Sequence, residues 1–142
     1  MIRSLSILIA PLLLAGCRSA PSGEEDRQVL RIDVLEPTLV PGTSAEVQLE
    51  NLSDRTIGFN LCSKVVERAD GDTWIPLPET HPEACTLELN VLAAGETVVQ
   101  TVEIPAGLER GPHRIVFEGI SFEQGDPVIP PTERVSDSFE IE

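Results

Sequence analysis

The residues with the most reactive side chains are three cysteines, Cys17, Cys62 and Cys85, and two histidines, His81 and His113. Thiols can be acylated, joined as disulfides or used as metal ligands, and imidazoles bind metals or titrate near neutral pH. His81 lies four positions before Cys85, but two cysteines and one nearby histidine lack the four-ligand spacing of a structural zinc site. A metal-handling protein using the two histidines is therefore a remote alternative, and no metal ligand or cofactor is predicted.

Sequence motifs of catalysis are sparse. The chain contains no Gly-x-Ser-x-Gly turn, no phosphate-binding loop and no His-Glu-x-x-His pair. The acidic pair Asp70-x-Asp72 lacks the remaining ligands of a calcium loop. We therefore expect no catalytic residue and a protein that is not an enzyme.

The amino-terminal segment has the pattern of an export signal. Arg3 gives a weakly positive start, residues 5–15 form a short apolar run, and small residues follow where a signal protease cuts. A membrane-spanning helix needs about 20 apolar residues. This run is shorter and contains Pro11, so we predict a leader that is removed after export.

The residues Leu14-Ala15-Gly16-Cys17 resemble the lipobox of bacterial lipoproteins. The resemblance implies a thioether-linked lipid on Cys17, removal of residues 1–16 and acylation of the new amino terminus. Each buried CH₂ adds about 0.8 kcal/mol, so two or three acyl chains would hold the protein on a membrane. The alternative is an ordinary secretory signal cut near Ala20, which would discard Cys17.

The predicted anchor also implies a place in the cell envelope. Residues 17–27 are polar, contain Pro and Gly and show no periodicity, so they are predicted to form a flexible linker behind the lipidated cysteine. The absence of Asp at position 18 resembles the default sorting of lipoproteins to the outer membrane. If the bacterium has two membranes, the domain would face the periplasm from the outer membrane.

The charge of the chain restricts its partners. Ten Lys plus Arg residues stand against 24 Asp plus Glu residues, a formal net charge of −14. A field of that sign repels phosphate groups, so nucleic acid is not an expected partner. The acidic residues are spread along the chain, which is typical of a solvated surface.

The remaining two cysteines form an even pair. Cys62 and Cys85 would lie in an oxidising compartment after export, where cysteine pairs form disulfides. A bridge closing a loop of this length contributes about 3 kcal/mol of stability. The loop is too short for the inter-sheet bridge of antibody domains, so we predict that the bridge staples one strand to the irregular segment after "PLPETHPE".

Short segments after the linker alternate apolar and polar residues with the period of a β-strand. Residues 29–34 and 45–51 show this alternation clearly, and no helical pattern follows the leader. The inward residues of the later strands are predicted as Ile57, Phe59 and Leu61; Leu87, Leu89 and Val91; Val98, Val102 and Ile104; Ile115 and Phe117; and Phe139 and Ile141.

The turns between these segments complete the fold prediction. Asp70-Gly71 predicts a hairpin that pairs residues 65–68 with residues 74–77, because Gly accepts the positive φ of a tight turn. Seven or eight short strands without helices predict an all-β protein, an antiparallel β-sandwich over residues 28–142. Trp74 is expected to close its core.

From about residue 45 to residue 120 the chain resembles a bacterial immunoglobulin-like domain family of exported and lipid-anchored proteins. The matching stretches are "VQLENLSDRTIGFNLC", "DGDTWIPLP", "LAAGETVVQTVEIP" and "RGPHRIVFE". The sequence departs from the family at Ala94, where Pro is usual, and at His113, where Tyr is usual. The resemblance implies an immunoglobulin-like sandwich with an accessory role, and we expect His113 to be a partly buried hydrogen-bonding residue.

These features predict a non-catalytic, lipid-anchored envelope protein with an accessory or protein-binding domain. The alternative is a proteinase inhibitor, because small bacterial inhibitors with similar "N-x-S-D" strand endings and a late Pro-Gly-Tyr turn share the layout of this chain, and a protruding loop would then occupy a protease cleft. Two Pro-rich segments, "IPLPETHPEAC" and "EQGDPVIPPTER", are predicted either as a recognition surface or as rigid connections. The protein partner itself is not predicted.

Overall fold

The structure is a computed structural model that describes residues 27–123 and 128–142. The predicted leader, its lipobox and Cys17 lie outside these residues. Nowhere in these two ranges is there a helix long and apolar enough to cross a membrane.

The residues in these ranges form eleven β-strands and two short 3₁₀ turns, at Pro78–Thr80 and Pro131–Glu133. The strands are β1 (Leu30–Val34), β2 (Thr38–Leu39), β3 (Ser44–Asn51), β4 (Ile57–Phe59), β5 (Lys64–Asp70), β6 (Thr73–Leu77), β7 (Asn90–Leu92), β8 (Thr97–Glu103), β9 (Gly111–Phe117), β10 (Ile120–Phe122) and β11 (Phe139–Ile141).

The strands of the described residues form three sheets. Two have three strands, in the orders β1-β3-β8 and β10-β4-β7, and one has five, in the order β2-β11-β9-β5-β6. Strand neighbours are antiparallel except β2 and β11, which run parallel. The predicted all-β sandwich is confirmed in class, but one sheet is mixed rather than antiparallel.

The number of strands is larger than the seven or eight predicted. Five of the eleven strands found in the described ranges, β2, β4, β7, β10 and β11, contain two or three residues each. A period of two cannot be recognised over so few positions, so the sequence pattern underestimates the count. The immunoglobulin-like type of the sandwich stays a prediction.

A single apolar core receives side chains from all three sheets. Strand β1 shows the predicted alternation of burial, since Leu30, Ile32 and Val34 are buried and Arg31 is exposed. Ile115 and Phe117 of β9 are completely buried, as is Leu92 of β7. Burial of this apolar surface is the main favourable contribution to folding.

The β5–β6 hairpin forms as predicted, with Val66 opposite Leu77 and Asp70 opposite Thr73. Gly71 follows Asp70 with a φ of 61°, the conformation that Gly adopts without strain. Trp74, however, does not close the core, which corrects the prediction. It lies opposite Ala69, and this register places it on the outer face of the sheet, half-buried.

The predicted strand through Leu87, Leu89 and Val91 is wrong. Residues 83–89 belong to no strand, and β7 begins only at Asn90. Leu87, Leu89 and Val91 are exposed, and Leu92 is the residue that enters the core. The predicted alternation is one position out of register at this end, because pairing with β4 places Leu92 opposite Ile57.

Candidate functional site

The exposed stretch between the disulfide and β7 is the most distinctive surface of the molecule. We call residues 84–89 the Leu87 segment. Its first two residues are the last two of the first Pro-rich segment, which is held by Thr80. The Thr80 hydroxyl accepts a hydrogen bond from the Val66 backbone N–H at 2.8 Å and donates to the Leu77 carbonyl at 2.6 Å. This part of the Pro-rich segment is therefore a rigid connection that leads to Cys85.

The predicted disulfide between Cys62 and Cys85 is present, with Cα atoms 5.6 Å apart. Cys62 lies in the turn after β4, and Cys85 lies at the start of the Leu87 segment. The bridge therefore fixes one end of the segment to the sheet that contains β4. It joins a strand end to an irregular stretch, as the sequence predicts.

Asn60, one residue after β4, holds the segment beyond the disulfide. Its side-chain Nδ2 donates to the carbonyl oxygen of Thr86 at 2.7 Å and to that of Glu88 at 2.8 Å. Its Oδ1 accepts from the backbone N–H of Cys62 at 2.9 Å. All polar atoms of the amide are engaged, and the reverse orientation would bring Oδ1 against two carbonyl oxygens.

This bonding pattern also sets the shape of the backbone. In a straight strand, carbonyl oxygens two residues apart on one side are separated by about 6.7 Å. The carbonyl oxygens of Thr86 and Glu88 both lie within hydrogen-bonding distance of one nitrogen atom, so they are closer together than that. The chain therefore bows outward between them, with Leu87 at the apex.

Two glycines allow the chain to approach the sheet closely. A β-carbon on Gly58 would lie 3.1 Å from the Leu89 side chain, so Leu89 rests on the bare backbone of β4. A β-carbon on Gly119 would lie 2.4 Å from the carbonyl oxygen of Asn60. The Asn60 backbone N–H donates to the Gly119 carbonyl at 2.7 Å. Both ends of the Leu87 segment are thus attached to the sheet that contains β4.

Exposed apolar side chains lie in this segment and at the start of β7. Leu87 is 101% exposed, Leu89 is 57% exposed and Val91 is 55% exposed. Three large apolar side chains are thus exposed within five residues, and exposed apolar groups of this kind mark protein contact surfaces. Sequence reasoning missed this site because it assigned Leu87 to the interior.

A polar cluster lies beside the segment. His81 Nε2 is 3.0 Å from Glu118 Oε2, and His81 Nδ1 is 3.0 Å from the Pro82 carbonyl oxygen. The Ser63 hydroxyl donates to the same Glu118 oxygen at 3.3 Å. The cluster ties the chain before Cys85 to residues next to β9, and therefore supports the position of the Leu87 segment.

His113 lies elsewhere, in the core of the five-stranded sheet. It is completely buried, not partly buried as predicted, and its ring stacks on Phe139 with centroids 6.3 Å apart. Its Nδ1 donates to the Gly111 carbonyl at 2.9 Å, which confirms the predicted hydrogen bond. Its Nε2 is buried without a hydrogen-bond partner among residues 27–123 and 128–142.

The two histidines are not brought together, since His81 is on the surface and His113 is inside. In the described part of the chain, no three metal-binding side chains converge on one point.

The second Pro-rich segment packs on the domain over the part that the structure describes. Ile129 is completely buried. The Glu133 carboxylate accepts hydrogen bonds from the backbone N–H groups of Val29, at 2.5 Å, and Leu30, at 3.2 Å. Residues 128–134 therefore form a rigid connection against β1, and the Leu87 segment is the better candidate for a recognition surface.

Comparison with known proteins gives no family for this chain, since neither a family model nor a curated protein matches it. Among solved structures, the alkylpurine DNA glycosylase AlkC of Pseudomonas fluorescens, bound to DNA containing an abasic site analog, is 13% identical over 82% of this chain and 31% of the glycosylase chain, with a TM-score of 0.36. The chain thus spans less than a third of that enzyme. The ASH/PapD-like domain 7 of human CEP192 is 16% identical over 98% of this chain and 93% of that chain, with a TM-score of 0.30. Neither similarity assigns a function.

Proposed function

We propose that this chain is a non-catalytic, lipid-anchored envelope protein that binds a protein partner through the Leu87 segment. The observation that carries the binding proposal is the complete exposure of Leu87 on a backbone held by Asn60 and by the disulfide. Water contact with a large apolar side chain is unfavourable, and association with a partner removes it.

The held backbone strengthens the binding proposal. A flexible loop loses conformational freedom when it binds, at a cost of about 0.5–1.5 kcal/mol for each immobilised side chain. The Leu87 segment is already fixed at Cys85, at Thr86 and Glu88, and at Leu89. Most of the ordering cost is therefore met during folding, which favours tight association with a complementary surface.

The anchor and the location rest on the sequence. The Leu14-Ala15-Gly16-Cys17 stretch supports lipidation at Cys17, and the polar residues behind it support a linker of some tens of ångströms. In a bacterium with two membranes, the domain would project from the outer membrane into the periplasm. The partner would then be an envelope or exported protein.

We also propose that the sandwich is of the immunoglobulin-like type. The order β1-β3-β8 corresponds to neighbouring strands A, B and E of that fold, and the order β11-β9-β5 corresponds to strands G, F and C. The strand order supports this type, and an experimentally determined structure compared over all strands tests it.

The anchor is tested by mass spectrometry of the chain purified from membranes. The native chain should begin at Cys17 and carry the added mass of its acyl chains, whereas the Cys17→Ser variant should lack that mass and leave the membrane fraction. A native chain that retains residues 1–16, or that carries an unmodified thiol, contradicts the anchor.

The binding surface is tested by placing a photo-cross-linking amino acid at position 87 in cells of the source bacterium. Leu35, 44% exposed in the connection between β1 and β2, gives the matched control position. We expect one discrete protein adduct from position 87 and none from position 35. Adducts from neither position, or equal adducts from both, contradict binding through the Leu87 segment.

A further inference from the structure

We propose that two copies of this chain associate through the open edge of β8 and form one continuous six-stranded sheet. The β8 strand of one copy lies antiparallel to β8 of its partner, with Gln100 on the twofold axis. This edge belongs to a different sheet from β4 and β7, which adjoin the Leu87 segment. The inference therefore goes beyond the proposed function and does not depend on it.

The hydrogen bonds between β8 and β3 define the open edge. At one end of the pair the Asn51 N–H donates to the Glu96 carbonyl at 2.9 Å, and at the other end the Ile104 N–H donates at 2.8 Å to the carbonyl of residue 43. Such bonds recur at every second residue of an antiparallel strand, so the even-numbered residues of β8 bond to β3. The backbone N–H and C=O groups of its odd-numbered residues point away from β3.

No strand lies on that side of β8 in the described part of the chain, since β8 is the last strand of its sheet. Its outward backbone groups make no hydrogen bond among residues 27–123 and 128–142. The side chains of the same residues are exposed as well: Thr97, Val99, Thr101 and Glu103. A row of free donors and acceptors on an exposed strand is a template for pairing with another strand.

The opposite edge of the same sheet, on β1, is covered. The Leu30 N–H donates to the Glu133 carboxylate at 3.2 Å. The Val34 N–H donates to the Asp137 carboxylate at 2.6 Å, and the Asp137 N–H donates to the Ile32 carbonyl at 3.1 Å. The chain segment that carries these two carboxylates thus prevents the addition of another strand beside β1.

The remaining edges are protected in other ways, whereas β8 is not. Strand β6 contains Pro76, which has no N–H to donate, and β2, β7 and β10 have only two or three residues each. Strand β8 is seven residues long, its sequence TVVQTVE contains no Pro, Lys or Arg, and its register with β3 runs without a bulge. It is therefore the edge at which this protein accepts a further strand.

The sequence of β8 is complementary to itself in one antiparallel register. Because the outward backbone groups belong to odd-numbered residues, an odd-numbered residue must oppose an odd-numbered residue of the partner. With Gln100 opposite the partner's Gln100, the whole of β8 is paired. The opposed pairs are then Val98 with the partner's Val102, Val99 with the partner's Thr101, and Thr97 with the partner's Glu103. Most of these residues are β-branched, which favours strand pairing.

Charge also favours β8 as the surface of self-association. The chain carries a formal net charge of −14, so two copies repel each other where acidic side chains meet. Glu103 is the one charged residue of β8, and its carboxylate accepts a hydrogen bond from the Ser44 hydroxyl at 2.8 Å. In the proposed register it faces the partner's Thr97, so no like charges are opposed.

Pairing through β8 stops at two copies. A twofold axis uses the same edge of both copies, so neither copy keeps an open β8 edge. The outer strands of the combined sheet are the two β1 strands, each covered by Glu133 and Asp137. The product is therefore a closed dimer with the sheet order β1-β3-β8-β8-β3-β1 and not a filament.

Disulfide trapping of the full chain in membranes of the source bacterium tests the register. Residues opposed without mutual hydrogen bonds have Cα atoms about 4.5 Å apart, a distance that a disulfide spans. Gln100→Cys should therefore give a disulfide-linked dimer on a non-reducing gel. Thr97→Cys is the matched control, because Thr97 is more exposed than Gln100 but its two copies would lie about 20 Å apart. We expect at least about tenfold less dimer from this control.

A charge series tests the pairing of Thr97 with the partner's Glu103. Thr97→Glu opposes two carboxylates, and the twofold axis repeats the clash, so the dissociation constant of the dimer should rise about tenfold. Thr97→Lys should lower it instead. Ser121→Glu makes the same charge change at an exposed position of β10 and should leave the constant within about twofold. Sedimentation equilibrium of the purified full chain in density-matched mild detergent measures these constants.

Three results overturn the inference. They are a native chain that stays monomeric at all concentrations, equal amounts of dimer from Gln100→Cys and Thr97→Cys, and equal effects of Thr97→Glu and Ser121→Glu. A disulfide between position 100 and a different protein overturns it too, because the strand beside β8 is then not a second copy. None of these results changes the cross-link expected at position 87, so the proposed function is tested separately.

Discussion

The side-chain amide of Asn51 donates a hydrogen bond to the backbone carbonyl of Leu92, 3.1 Å away, across a separation of 41 residues. The same Nδ2 lies 2.7 Å from the Arg55 carbonyl oxygen and 3.0 Å from that of Ala93. Asn51 Oδ1 accepts from the Ser53 backbone N–H at 3.0 Å. One completely buried amide thus joins the end of β3, the turn before β4 and the end of β7.

Replacing this amide by a carboxylate should be strongly destabilising. Asn51→Asp keeps the shape but turns two N–H donors into an oxygen that faces carbonyl oxygens in a buried site. We expect the free energy of unfolding in urea to fall by about 2–4 kcal/mol. Asn90→Asp, at an exposed position of β7, is the matched control and should change it by less than about 0.5 kcal/mol. Equal effects of the two variants contradict the role of the buried amide.

Gly119→Ala should loosen the Leu87 segment from a distance. The added β-carbon would meet the Asn60 carbonyl oxygen at 2.4 Å, a backbone atom that cannot rotate away. We expect a loss of about 1–3 kcal/mol in unfolding free energy, together with faster amide hydrogen exchange at residues 86–88. Gly58→Ala is the control, because its β-carbon meets only movable side-chain atoms of Leu89, and its loss should be smaller.

Trp74 and Arg114 should be energetically coupled. The Arg114 guanidinium lies 4.4 Å from the centroid of the Trp74 ring and binds the Glu67 carboxylate at 2.6 Å. A double-mutant cycle of Trp74→Ala and Arg114→Ala should give a coupling of about 0.5–1 kcal/mol, the usual value of a partly exposed cation–π contact. A cycle of Ile75→Ala with Arg114→Ala should give none, since Ile75 lies on the other face of β6.

Lys64, the sole lysine of the sequence, is nine-tenths buried at the start of β5. Burial lowers the pKa of its ammonium group below the ordinary 10.5, although Glu103 acts in the opposite direction. The folded state therefore holds this proton less tightly than the unfolded chain. The charged ammonium group therefore lowers the free energy of unfolding at neutral pH. This loss disappears as the pH rises from the lowered pKa of the folded state to the 10.5 of the unfolded chain, because the lysine is then neutral in both states.

The Lys64→Met variant removes this charge and keeps most of the side-chain volume. Its unfolding free energy at pH 7 should exceed that of the native chain by about 1 kcal/mol. The difference should shrink when both proteins are unfolded in urea at pH 10, where the native lysine is less charged in the folded state. A variant that is less stable at pH 7 would show that the ammonium group is stabilising.

The strand predictions succeeded where burial is one-sided. In β1 the buried face is entirely apolar, and in β9 it carries the apolar Ile115 and Phe117 beside the buried His113, so the period of two is visible in the letters alone. The Asp70-Gly71 hairpin is equally predictable, because the residues that determine its turn are adjacent in the sequence. The disulfide followed from the number of cysteines and the inferred compartment.

The predictions of burial are wrong where the partner of a segment decides which of its side chains are buried. Trp74 alternates correctly with its neighbours, but only the pairing with β5 shows that its face points away from the core. The same is true of Leu87, whose exposure depends on Asn60, a residue 26 positions earlier in the chain. The alternation of Leu87 and Leu89 after Cys85 has the period of a strand, and nothing in these letters distinguishes an exposed stretch from a buried one.

The position of β11 has a consequence for the order of folding. This strand lies between β2 and β9, so the five-stranded sheet is interrupted until residues 139–141 are in place. Contacts between residues so distant in sequence form slowly. For an exported chain, the five-stranded sheet should therefore stay incomplete until residue 141 has crossed the membrane, and its unpaired strand edges are open to aggregation in the meantime.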